Sequence, residues 1–136
     1  MSKRRVVITG LGAVSSVGNT AEETWQAVKA GKSGASRITL FDAADFPVQI
    51  AAEVKDFSLD AYNVNHKLSR KMSRFAKFLL GAGIQAVNDS GLSAETVASR
   101  KTGIVTGIGI GLSDGLDAGY KKYLDPNAGV NRLPPL

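Results

Sequence analysis

Two continuous runs of β-branched residues, each ending in spaced glycines, constrain this chain more than any other feature. Arg5-Val6-Val7-Ile8-Thr9-Gly10 runs on into Leu11-Gly12, and Thr102-Gly103-Ile104-Val105-Thr106 runs on into Gly107-Ile108-Gly109-Ile110-Gly111. Neither run alternates polar with apolar, so each predicts a strand buried on both faces, as in a parallel sheet. Helical patterns lie between them. Strand, helix, strand, helix, strand in that order points to an α/β fold, a mixed sheet with packed helices.

The helical signals are specific. Thr20-Ala21-Glu22-Glu23 is a capping box, with the Thr hydroxyl serving the first free amides and Glu23 reaching back. It predicts a helix to about Ala30, stopped by Gly31, with Trp25 and Val28 as its inner face. Residues 32–47 predict a loop, and Val48–Val54 a strand, as the arm of a hairpin. A long helix is expected over about 67–90, ended by Asn88-Asp89-Ser90-Gly91. Its apolar stripe is Leu68, Met72, Phe75, Leu79, Ala82 and Ala86. Gly81 and Gly83 are poor helix formers, which predicts close approach of another backbone. Residues 113–124 predict a further helix.

Charge is uneven. Seventeen Lys and Arg face 12 Asp and Glu, a net +5. No acid lies between Asp60 and Asp89, where the bases are Lys67, Arg70, Lys71, Arg74 and Lys77. Those five account for the whole excess. On one helix they form a second, basic stripe. Uninterrupted like charges repel one another and are tolerated where an anionic partner binds. A nucleic acid is one candidate, though few aromatics accompany the bases and no nucleic-acid motif does; an acidic protein partner fits equally well.

Several chemistries are excluded or disfavoured. The chain has no cysteine, which removes disulfides, thiolate metal sites and cysteine nucleophiles. A single imidazole, His66, argues against a multi-histidine metal site and reads as a surface or cap residue. No cofactor is expected. There is no run of 18 apolar residues and hence no membrane span. The basic start Met1–Arg5 leads into an apolar stretch too short for a signal-peptide core, so a cytoplasmic protein is expected. At 136 residues the chain is one domain's worth, with a single core. Gly10-Leu11-Gly12 sits where a dinucleotide fingerprint would. The third glycine is replaced by Ser15 and the capped helix starts only at Thr20, so a tight turn is the better reading. Gly107–Gly111 reads either as close strand packing or as the wall of an apolar ligand channel lined by Ile108 or Ile110.

Taken together, segments of the chain resemble one family. Residues 5–20, Trp25 with Gly31-Lys32-Ser33-Gly34, Ser69-Arg70-Lys71-Met72-Ser73-Arg74-Phe75 and Gly103–Gly109 are similar, in the same order, to β-ketoacyl-[acyl-carrier-protein] synthases. The resemblance implies part of the first half of a thiolase-like α-β-α-β-α fold. Residues 1–136 would be the N-terminal portion of the synthase N-terminal domain, with no second domain. It implies a homodimer, or association with the rest of a parent chain. The activity implied is a decarboxylating Claisen condensation of an acyl thioester with malonyl-carrier protein, in fatty-acid or polyketide synthesis. The family's cysteine and two histidines fall beyond Leu136, so no catalytic residue is assigned here, and the chain alone is expected to be inert. Two sites carry over by position. Lys67, Arg70 and Lys71 match the docking positions for the acidic acyl carrier protein. Ile110 matches a residue gating the acyl pocket. Rival readings are a non-catalytic module binding carrier protein or a subunit, and a small nucleotide-binding α/β protein.

Overall fold

The computed structural model describes residues 4–99, 101–111 and 113–126. Helix α1 spans Ala21–Lys29, followed by strands β1 (Ala35–Arg37) and β2 (Ile50–Ala52). A 3-10 turn (Asp60–Tyr62), the short helix α2 (His66–Ser69), the long helix α3 (Arg74–Ser90), the short α4 (Ala94–Val97) and α5 (Ser113–Leu124) complete the order.

α1 starts where its box predicts, with one change of partner. Thr20 Oγ1 accepts from the Glu23 amide at 3.1 Å, but the Glu23 carboxylate takes the Asn19 amide, at 2.7 Å, rather than that of Thr20. Gly31, at φ +66°, follows the Ala30 cap. The expected inner face is wrong. Trp25 and Val28 are more than half exposed, whereas Ala27 is 3% exposed. The reason is distance. The turn at Ser15–Gly18 lies so close that a Cβ on Gly18 would come within 2.7 Å of Glu23 backbone, which leaves room only for Ala21, Thr24 and Ala27 on that side. Thr24 Oγ1 donates to Gly18 O at 3.3 Å and shares a hydrogen bond with Ser15 Oγ at 2.9 Å.

The hairpin arm at 48–54 is confirmed as β2, and its partner falls inside the segment expected to be loop. β1 and β2 pair antiparallel in the register Ala35–Ala52, Ser36–Ala51, Arg37–Ile50. These are short and rich in Ala and Ser, so the strand signal of β1 is weak. Beyond the ladder, Glu53 closes the hairpin. Its carboxylate accepts from the Thr39 hydroxyl at 2.7 Å, the Thr39 amide at 3.0 Å and the Leu40 amide at 3.2 Å.

The long helix is broken. α2 ends at Ser69, the chain turns through Arg70–Met72, and Ser73 at ψ 160° is extended before α3 begins. The Ser73 side chain makes no capping hydrogen bond, but its extended backbone separates the two helices. The 3-and-4 spacing across residues 68–79 therefore does not describe one face, and Leu68 and Leu79 are exposed. Within α3, Ala82 and Ala86 receive the N-terminal segment. A Cβ on Gly12 would overlap the Ala82 carbonyl oxygen, and one on Gly10 would come within 2.6 Å of the Ser90 amide. Close backbone approach to α3 thus occurs, but the glycines that permit it are Gly10 and Gly12. Gly81 instead accommodates the Phe57 ring, and Gly83 faces open space.

Residues 4–10 and 101–108 do not join a sheet; the described ladder is β1–β2 alone. Val6 is 92% exposed and Val105 99% exposed, against the expectation of buried strands. Among the described residues the buried apolar side chains are Ala27, Ala43 and Leu59. The accessible surface is 11378 Å², about 1.7 times that expected for a folded monomer of this mass. Among the described residues, segments 4–10 and 101–108 have no strand neighbours.

Candidate functional site

The five bases occupy three local settings rather than one stripe. Lys67 lies on α2, whose first amides are capped by Asn65 through Lys67 N–H to Oδ1 at 2.9 Å. Arg70 caps the end of α2, and Lys71 sits in the turn. Arg74 and Lys77 belong to the first turn of α3. Lys67, Arg70, Lys71 and Arg74 are exposed and Lys77 is half-buried. His66 is the first residue of α2 and exposed, the surface position expected of it.

What organises this region is Phe57. Its ring lies over Gly81, with Phe78 edge-on at 5.4 Å and Tyr62 at 6.3 Å. Phe57 borders two open notches. One, of about 260 Å³, is lined by Val54, Asp56, Phe57, Arg74, Lys77 and Phe78. The other, of about 170 Å³, is lined by Phe57, Ser58, Leu59, Asp60, His66, Ser69, Arg70 and Lys77. Arg74 is held in place: its guanidinium donates to the Val54 carbonyl and stacks over Phe78 at 5.1 Å. Lys121 and Asp117 form an ion pair at 2.8 Å. Among the described residues none of the five bases is in an ion pair, although Asp56 lines one notch with Arg74 and Lys77 and Asp60 the other with Arg70 and Lys77.

The loop carrying Phe57 and Tyr62 is tied to the N-terminal segment by Gln85. Its Oε1 accepts from Ala13 N–H at 3.2 Å and Ala21 N–H at 3.1 Å. Its Nε2 donates to Asn19 O and to Tyr62 Oη, both at 2.8 Å. The amide group's donors and one oxygen are thereby used. Asp89 adds an acceptor for Leu11 N–H at 2.8 Å. Two amides of the turn where a dinucleotide fingerprint would sit, and the first amide of α1, are thus committed within the chain. Leu11 and Ala13 are the turn amides so engaged, which weighs against the nucleotide reading.

The Glu53 carboxyl is held below its ordinary range chiefly by the Thr39 hydroxyl, then by the Thr39 amide and also the Leu40 amide, with burial opposing. Its role is to hold residues 38–40 rather than to react. Among the described residues no group of three or more His, Cys, Asp and Glu is placed to hold a metal ion.

Comparison with known proteins decides the relationship. Residues 3–133 match the family described as Beta-ketoacyl synthase, N-terminal domain. The chain belongs to the β-ketoacyl synthase family. It is 43% identical over 125 residues to the 3-oxoacyl-[acyl-carrier-protein] synthase 2 of Vibrio harveyi, covering 92% of this chain and 30% of that one. It is 44% identical over 135 residues to the Coxiella burnetii protein of the same name, covering 99% and 32%. Among solved structures it is similar to the ishigamide ketosynthase/chain length factor, at a TM-score of 0.66 and 37% identity, over 73% of this chain and 24% of that one. The chain thus spans about a third of the length of the curated relatives it matches. The thiolase-like α/β fold expected from the sequence is the fold of this structural relative.

Within this synthase domain, the structure places the other candidate site residue, Ile110, on the open segment after residue 106, 90% exposed. Nearby Gly111 lies against Phe75 and Ile108, so the segment touches α3 at its foot while its tip stands free. Gln85, Phe57 and Glu53 are the organising residues that sequence reasoning missed. A lone glutamine within a helical pattern carries no periodic or motif signal. Among the described residues, no helix is long and apolar enough to cross a membrane.

Proposed function

We propose that residues 1–136 are the N-terminal portion of the N-terminal domain of a 3-oxoacyl-[acyl-carrier-protein] synthase. The whole protein is an acyltransferase that condenses an acyl thioester with malonyl-carrier protein. In that reaction a new carbon–carbon bond joins the malonyl α-carbon to the acyl carbonyl, carbon dioxide leaves, and the thiolate that held the acyl group is released. It serves fatty-acid synthesis, in keeping with its synthase 2 relatives, in the cytoplasm and as a homodimer.

This chain's own share is scaffold and docking. It contains no thiol, so it forms no acyl thioester. Lys67, Arg70 and Lys71 attract the acidic carrier protein, and Ile110 lines the acyl pocket. The observation that carries the docking reading is the acid-free stretch from Asp60 to Asp89, whose five bases find no acidic partner within the described chain. Exposed charges of this kind mainly steer association and orient the partner.

Two assays test the reading. Incubation with radiolabelled acyl-carrier protein is expected to leave no covalent label on this chain; a labelled residue would refute the scaffold role. Lys67→Glu with Arg70→Glu is expected to weaken the carrier-protein complex about tenfold or more. Unchanged affinity in that double variant would remove the docking assignment.

A further inference from the structure

Of the three glycines that follow Thr106, packing demands only Gly111. A Cβ on Gly107 or Gly109 would meet nothing within 4 Å. A Cβ on Gly111 would come within 2.8 Å of Ile108 Cγ2 and 3.1 Å of Phe75 Cζ. The segment is therefore gripped at Gly111 and unhindered at the glycines on either side of Ile108, where the backbone has most conformational freedom. Ile110 stands between Gly109 and Gly111 and is 90% exposed. Phe75, half-buried in the first turn of α3, is the fixed side of the grip. Its neighbour Arg74 anchors that turn, donating to the Val54 carbonyl and stacking over Phe78.

We infer that Phe75 is a specificity-determining positioning residue, whose ring is the stop against which Gly111 and Ile108 rest and so sets how far Ile110 projects into the path of the acyl chain. The inference rests on the reading of Ile110 as a lining residue of the acyl pocket and adds the group behind it. Ile110 has a glycine on each side, so no adjacent side chain holds its backbone in place. The nearest packed point is Gly111, and the partner there is an aromatic ring on a 17-residue helix. The segment touches α3 at this foot and its tip stands away from the helix, so a thicker stop pushes Ile110 outward and a thinner one lets it recede. Phe75 touches no reacting atom; it acts through the backbone between Gly111 and Ile110. A shift of the wall by one methylene's length is enough to be read, because an apolar pocket separates ligands differing by one methylene by about tenfold or more.

The test is the acyl-chain profile of the full-length synthase that carries residues 1–136, measured as kcat/KM over a series of saturated acyl-carrier proteins from short to long, with the thermal transition of every variant checked. Phe75→Leu withdraws the stop and is expected to raise the long-to-short ratio of kcat/KM about tenfold. Phe75→Tyr adds an oxygen at Cζ, the ring atom nearest Gly111, and is expected to shift the ratio toward short chains. Should Phe75→Leu fail to fold, Phe75→Tyr alone carries the measurement. An equal loss at every chain length would make the role of Phe75 purely structural and overturn the inference, as would an unchanged profile. Ile110→Trp tests the underlying reading separately. If it shifts the profile and the Phe75 variants do not, the pocket stands and the part given to Phe75 is overturned. If Ile110→Trp leaves the profile unmoved, the pocket reading fails and this inference fails with it. No condensation by the unsubstituted synthase would overturn the proposed function itself.

Discussion

Gly12 shows how far one missing methyl group reaches. A Cβ there would overlap the Ala82 carbonyl oxygen, a backbone atom that cannot swing aside. Gly12→Ala is therefore expected to destabilise the chain by about 1–3 kcal/mol in a denaturant titration, the usual scale of overpacking. Gly83 is the opposite case, a helical glycine facing open space. Gly83→Ala is expected to stabilise by about 1 kcal/mol through helix propensity alone. Equal effects at the two positions would contradict the packing of residues 10–12 on α3. Gln85→Ala removes the acceptor for Ala13 and Ala21 and the donors to Asn19 and Tyr62. A cost of at least about 2 kcal/mol is expected in the same measurement. At this scale the sequence was legible wherever a residue acts locally. Thr20, Gly31 and Gly91 do what their types predict. It was silent where a residue acts at long range: nothing near Gln85 in sequence announces partners 64 to 72 positions away.

Elements were legible in kind and less so in extent. α1, α3, α5 and the β2 arm fall where periodicity and caps place them. The break between α2 and α3 was missed because apolar spacing continues through Met72 while Ser73 turns extended. That break matters for the site, since it puts Lys67 and Lys77 on separate helices. β1 was missed because Ala35-Ser36-Arg37 has little strand character and depends on Glu53 and β2 for support. Glu53 also gives the hairpin a pH dependence with a definite sign. Its folded-state pKa is lowered, so its contribution is fully present above the ordinary carboxylate value of about 4.3 and fades as pH falls toward the lowered value. Glu53→Gln is expected to lower stability at neutral pH and to flatten the acid side of a stability–pH profile. An unchanged acid limb would show that the Thr39 and Leu40 contacts do not persist in solution.

At the scale of the whole molecule, surface is the governing quantity. The two runs that read as buried strands, 5–10 and 102–106, stand open, and the described apolar core is small. Such sequences are built for neighbours on both faces. Strong binding of a hydrophobic dye and a broad, weakly cooperative thermal transition are expected for the isolated chain. A sharp transition without dye binding would favour the rival reading, a self-sufficient binding module. The residues of the cationic face lie on α2, the turn and α3 rather than on the open runs. The most direct test of the account is therefore the affinity of this chain for acyl carrier protein as salt rises from roughly 0.05 to 0.5 M, across which the screening length shrinks severalfold. The account predicts affinity falling about tenfold or more over that range. Affinity independent of salt, or no complex at the low-salt end, would contradict it.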